Sequence, residues 1–148
     1  MFRAIRKDGQ GEVKGWLFVY DNDPKEIIYY ILTGAGIGMY RNGDDYLSVS
    51  EYEVIPSTIA MKTYQPDKAN EMIFGSFDLE GFGMTKGGDR LKLSSKIVDI
   101  IFKDGGFGWI LHDEMIGIAG HNFWKNDIQT YCKIIGKQYD EEQNDKIT

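Results

Sequence analysis

The residues best equipped for chemistry are "HDE", positions 112–114. On a strand, His112 and Glu114 would share a face while Asp113 points away, so two of the three could converge on one metal ion. A usable site needs more ligands, and His121 is the only other histidine in the chain. The competing expectation, which we adopt, is a polar turn between two strands with no metal site. Cys132 is the single cysteine, and its setting "TYCKIIG" suits an inert buried thiol better than a nucleophile. Two histidines and no nucleophile-elbow sequence leave no Ser-His-Asp set to assemble. The sequence therefore offers no catalytic residue, no metal ligand set and no cofactor.

Two glycine-rich stretches invite a nucleotide reading, and both fail it. In "IIYYILTGAGIGMY", residues 27–40, Gly34 and Gly36 fit the first two positions of a dinucleotide fingerprint, but Met39 stands where the third glycine belongs. That fingerprint also needs a long helix after the loop, to meet the pyrophosphate with N–H groups. Here "MYRNGDD" follows instead, with a turn at Asn42-Gly43. A bend or bulge in a strand pair is the expectation. "EGFGMTKGGDR" lacks the Gly-Lys-Ser/Thr that would make it a phosphate loop.

The remaining candidates are aromatic. "FGWIL" sets Phe107, Trp109 and Leu111 on one strand face, and "HNFW" adds Phe123 and Trp124. Such rings either pack a core, stack on single-stranded nucleic acid or bind a protein. Interleaved Arg and Lys are sparse, with Lys103 and Lys125 opposed by Asp104, Asp113 and Glu114. Core packing is the default, and a protein-binding patch of Phe107, Trp109, Phe123 and Trp124 is the functional expectation.

The elements that must carry these residues read as strands. "FRAI" and "VKGWLFVY" flank "KDGQG", a hairpin turn in which Gly9 and Gly11 can take positive φ, and the second of these strands is expected to be mostly buried. "EIIYYIL" is β-branched and aromatic, too short and stiff for a helix. "YLSV", "YEVI" and the runs around "KDGG" add further strands, and "IQTYCKIIGKQY" a last one. Only "YQPDKANEMIF" has helical character, with Asp67 able to cap one turn. The class is all-β with little helix.

Bulk properties agree. The 148 residues are 42% hydrophobic and 14% aromatic, with 18 glycines against 3 prolines, as strands joined by tight turns require. A net charge of −6 speaks against a general binder of phosphate backbones, while leaving room for a local basic patch. No apolar run approaches a membrane span, no signal-peptide stretch opens the chain, and a lone cysteine suits a reducing compartment, so a soluble cytoplasmic protein without membrane contact is expected.

The opening "FRAIRKDGQGEVKGWLF" resembles the start of the YopX-type proteins of bacteriophages and prophages, with Phe2, Arg3, Arg6, Gly9, Gly15, Trp16 and Leu17 in the family's places. "VIPST" is similar to the Val-x-Pro-x-Thr element that follows, through Pro56 and Thr58. "FGSFDLEGFGMTKGGDRLKL" resembles the family's Gly-Leu-x-Asp-x-x-Gly segment leading to Gly-Asp, matched by Gly75, Asp78, Gly81, Gly88 and Asp89. "IIGKQYD" is similar to its Ile-Gly-x-x-Tyr ending. The chain departs from the pattern in an insertion around "YQPDKANEMI" and in "EEQND" where Asn-Pro-Glu-Leu is usual; another register matches Asp67, Ile73 and Phe74 and forgoes the Gly-Asp pair.

The resemblance implies an N-terminal β lobe, a small SH3-like barrel, a phage or prophage origin inside a bacterial host, and no established activity. On that basis the expected units are an N-terminal lobe over 1–62, a barrel lobe over 63–140 with an insertion near its start, and a polar tail over 141–148. The functional expectation is a non-catalytic accessory protein that binds a host or phage protein, with a homo-oligomer as a further possibility. A nucleic-acid-binding β-barrel is the alternative, and a metal-dependent enzyme built on His112, Glu114 and His121 the third reading.

Overall fold

Gly9 and Gly11 take φ of +78° and +98°, values that cost a glycine little, and between them they turn the chain back on itself. The hairpin they close pairs β1 (Phe2–Ile5) with β2 (Glu12–Asp23). In the computed structural model the described residues are 1–23, 26–39, 45–93, 95–103, 105–111, 114–117 and 128–140. Strand β3 (Glu26–Met39) and β4 (Asp45–Glu53) extend the hairpin into a meander, and their register slips between Gly34 and Gly36. The glycines of the apparent nucleotide loop are thus a bulge within a strand pair. Asn42-Gly43 lies outside the described residues.

After a 3₁₀ turn at Pro56–Thr58, β5 (Ala60–Pro66) and β6 (Met72–Gly75) return to the free side of β1. The first sheet has the order β4-β3-β2-β1-β5-β6, so it runs on past residue 62. Asp67 shapes the β5–β6 connection: its Oδ1 accepts the Ala69 and Glu71 N–H groups, both at 2.9 Å, and its Oδ2 accepts that of Ile134 at 2.9 Å.

A short ribbon, β7 (Asp78–Leu79) with β8 (Gly83–Met84), leads into the second sheet. This comprises β9 (Asp89–Leu93), β10 (Lys96–Lys103), β11 (Gly106–Leu111), β12 (Glu114–Gly117) and β13 (Cys132–Lys137), in the order β12-β11-β10-β9-β13. Gly105, at φ +83°, makes the "KDGG" hairpin turn. The expected last strand begins instead as a helical turn over 128–131, which seats Ile128 in the core. The fold is all-β, as its alternating apolar runs require.

Two clusters hold the sheets. Tyr29, Ile31, Val54, Ile59, Phe77 and Leu79 fill the inner face of the first sheet; Ile73, Leu91, Val98, Ile100, Ile128 and Cys132 fill that of the second. The sheets are joined by backbone at Ser76, whose N–H donates to Ile100 and whose carbonyl accepts from Phe102, at 2.9 and 2.7 Å. Cys132 is fully buried and outside any disulfide, the apolar setting its sequence context suggested.

Candidate functional site

Strand alternation puts Val13, Leu17 and Val19 of β2 toward the first core and leaves the other face to Glu12, Lys14, Trp16, Phe18 and Tyr20. Nothing described covers the last three: Trp16 is 61% exposed, Phe18 48% and Tyr20 43%. The strand expected to be mostly buried is buried on one side only. Across the β2–β3 pairing Trp16 faces Leu32, Phe18 faces Tyr30 and Tyr20 faces Ile28, so six large side chains share one surface. Glu53 and Glu51 of β4 stand opposite Tyr30 and Leu32, and Glu26 lies one step beyond Ile28; Glu53 is paired with Lys7 Nζ at 3.4 Å, so Glu26 and Glu51 give the patch its acidic border. One row of exposed rings beside the half-buried Ile28, Tyr30 and Leu32 makes a contiguous apolar patch, which calls for an explanation where isolated apolar residues do not.

The same sheet face ends, past Lys14, in a cleft of about 480 Å³ against β13, with Arg3, Lys14, Glu71, Asp89, Lys137 and Asp140 among its walls. Its two buried charges, Arg3 and Asp89, are spent on each other. Arg3 Nη2 donates to Asp89 Oδ1 at 2.6 Å and to the Gly87 carbonyl at 2.9 Å, and the guanidinium lies 4.5 Å from the Phe74 ring centroid. Asp89 Oδ2 also accepts the Phe74 N–H at 2.8 Å. Both residues are buried; burial pushes the Asp89 carboxyl above the usual range, against the pull of Arg3 and of the Phe74 N–H. This is a staple between the two sheets, because Arg3 stands on β1 of the first and Asp89 on β9 of the second.

A second, shallower staple joins Lys137 Nζ to Glu12 Oε2 at 2.6 Å. Burial acts against both charges, but the pairing prevails: Glu12 is lowered from 4.5 and Lys137 raised from 10.5. The sign follows from linkage. Glu12 contributes stability above pH 4.5 that is lost as pH falls through its lowered folded value; Lys137 contributes below pH 10.5 and loses it as pH rises through its raised one. Urea denaturation of the wild type and Glu12→Gln across pH should show a gap that is constant near neutrality and closes at both extremes. A gap that persists at pH 2 would contradict the pairing.

The sequence-derived candidates fall elsewhere. Phe107 packs on Phe102, centroids 5.0 Å apart and edge to face, and its ring lies against Gly75, where an added Cβ would approach it to 2.9 Å. Trp109 has its backbone in register with Ile100. Phe123, Trp124, His112, Asp113 and His121 lie outside the described residues, and Glu114 begins β12. Among the described residues no three His, Cys, Asp or Glu side chains converge as a metal site, and no helix is long and apolar enough to cross a membrane.

The Trp16–Phe18–Tyr20 ladder escaped the sequence reading because "VKGWLFVY" is apolar on both alternating faces, and composition cannot say which face is covered. The one available signal was the strict aromatic alternation at 16, 18 and 20 beside smaller Leu17 and Val19. No family model matches the chain, and neither a curated protein nor a solved structure matches it.

Proposed function

We propose that the chain is a non-catalytic protein-binding module, an accessory protein of a phage or prophage as its resemblance to the YopX-type proteins implies, and that its partner seats on the β2–β3 aromatic face. The observation that carries this reading is the exposed ladder of Trp16, Phe18 and Tyr20. Rings of this kind supply most of the energy in protein interfaces, and an uncovered row of them is costly to keep in water. The border of Glu26 and Glu51 specifies the occupant: an apolar patch rimmed by Lys or Arg, since like charges at a rim cost affinity.

The test is affinity capture from the native host with quantitative mass spectrometry, comparing the wild type with Trp16→Ser/Phe18→Ser, followed by calorimetry on the recovered protein. Loss of a hot-spot ring is expected to weaken a direct complex by about 30-fold or more. The recovered partner should present a basic rim, and its binding should weaken with salt. Identical affinities for wild type and variant would sink the proposal. So would light scattering at twice 16.9 kDa that reverts to 16.9 kDa in the variant, because a second copy would then own the face.

A further inference from the structure

On the other sheet, the outer face of β13 carries a concentration of positive charge in a chain whose net charge is −6. Lys133 stands directly opposite Lys92 in the β9–β13 pairing. Lys68 joins them because its backbone N–H donates to the Cys132 carbonyl at 2.9 Å. The three border a pocket of about 370 Å³ completed by Leu93, Tyr131 and Ile135. None of the three lysines forms an ion pair with another described residue. The nearby carboxylates are committed: Asp67 accepts three backbone N–H groups, and Asp99 binds Arg90 at 2.7 and 3.0 Å.

Like charges directly across an antiparallel pair destabilise it. An anion bound between the two ammonium groups would remove that repulsion. The ligand's chemistry is narrowed by the neighbours. Tyr131 is 60% exposed and Ile135 46%, which offers a ring face and an apolar shoulder beside the ammonium groups. Lysine serves phosphate as a point charge, and since ammonium groups alone accept carboxylate as well, the exposed ring beside them is what selects the ligand class. A flat ring next to phosphate-binding cations is the arrangement that holds a nucleotide, with its base stacked and its phosphate neutralised.

We propose that Lys68, Lys92, Lys133 and Tyr131 form a nucleotide-binding site, taking a phosphorylated nucleoside either free or within a single strand. The site is on a different sheet from the aromatic ladder and does not rest on the reading given for it.

Fluorescence anisotropy with a labelled ten-residue oligothymidylate tests this, with thymidine monophosphate and oligoglutamate as competitors. Saturable binding is expected near 10⁻⁵ M at low salt, with log affinity falling against log salt at a slope of about −2 for three lysines on a single strand. Lys92→Ala/Lys133→Ala should lower affinity at least tenfold, and Tyr131→Ala by about 5- to 150-fold. Displacement by the monophosphate at similar affinity assigns the free nucleotide as the source; displacement only by unlabelled strand assigns the strand. Lys133→Glu should abolish binding yet raise the thermal midpoint by about one to a few degrees, by turning a repulsive cross-strand pair into an attractive one. Absence of saturable binding would overturn the proposal. So would a Tyr131→Ala variant that binds as the wild type does while oligoglutamate competes equally, which would make the site a receptor for acidic peptides. A lowered midpoint in Lys133→Glu would remove its premise.

Discussion

Replacing Arg3 with Met is expected to lower the free energy of unfolding by about 3–5 kcal/mol, the cost of stranding one member of a buried ion pair. Three losses combine in that figure. Asp89 keeps its charge in a buried setting without the 2.6 Å donor, the Gly87 carbonyl loses its 2.9 Å partner, and the Phe74 ring loses the cation above it. The pH dependence separates this from simple loss of packing. Asp89 already has a folded pKa above 3.8, driven first by burial, and removing Arg3 removes the main opposing pull. A carboxyl whose folded value is raised makes the fold bind its proton more tightly than the unfolded chain does, so stability falls as pH rises through that value. The deficit of Arg3→Met should therefore narrow as pH is lowered from 7 toward 4, since a protonated Asp89 needs no counter-charge. The Asp89 carboxyl itself is linked to stability with the opposite sign to Glu12, whose folded value is lowered, while the deficits of both variants narrow on acidification. Guanidinium titrations at several pH values decide it, and a deficit independent of pH would show that the pair contributes only shape.

Gly87→Ala is expected to be the most damaging of the glycine substitutions around the same staple, at about 3 kcal/mol or more, the upper end for overpacking. A Cβ there would stand 2.0 Å from the Thr58 carbonyl oxygen and 2.4 Å from its carbon, both backbone atoms with no rotamer to yield. The chain would have to shift, and with it the Gly87 carbonyl that Arg3 holds and the approach of Asp89 two residues on. Gly34→Ala is the control: nothing lies within 4 Å of its Cβ and its φ is not positive, so its effect should stay within about 0.5 kcal/mol. Thermal melts that rank the two equally would refute the close approach.

What the sequence determined by itself is local. Turn chemistry at Gly9, Gly11 and Gly105, β-branched runs such as "EIIYYIL", and the failure of "TGAGIG" to open a helix depend on neighbours a few residues away, and these made the all-β class legible. The buried state of Cys132 was legible for the same reason, from an apolar strand around it. Burial of a whole strand face is another matter. β2 is apolar on both sides, and only the placement of the sheets leaves Trp16, Phe18 and Tyr20 in water while Leu17 and Val19 are covered.

The charged sites lay further out of reach. Arg3 and Asp89 are 86 residues apart, and Lys68, Lys92 and Lys133 come from a loop and two strands that no spacing rule connects. Their convergence follows from β13 pairing back onto β9 and from β6 meeting β10 at Ser76. Long-range pairing is chosen by the total burial of both faces of both sheets, a sum over the whole chain that no local window contains. Strand identity is therefore written in the segments, while the aromatic face, the ionic staple and the lysine pocket exist only once the two sheets have closed on their cores.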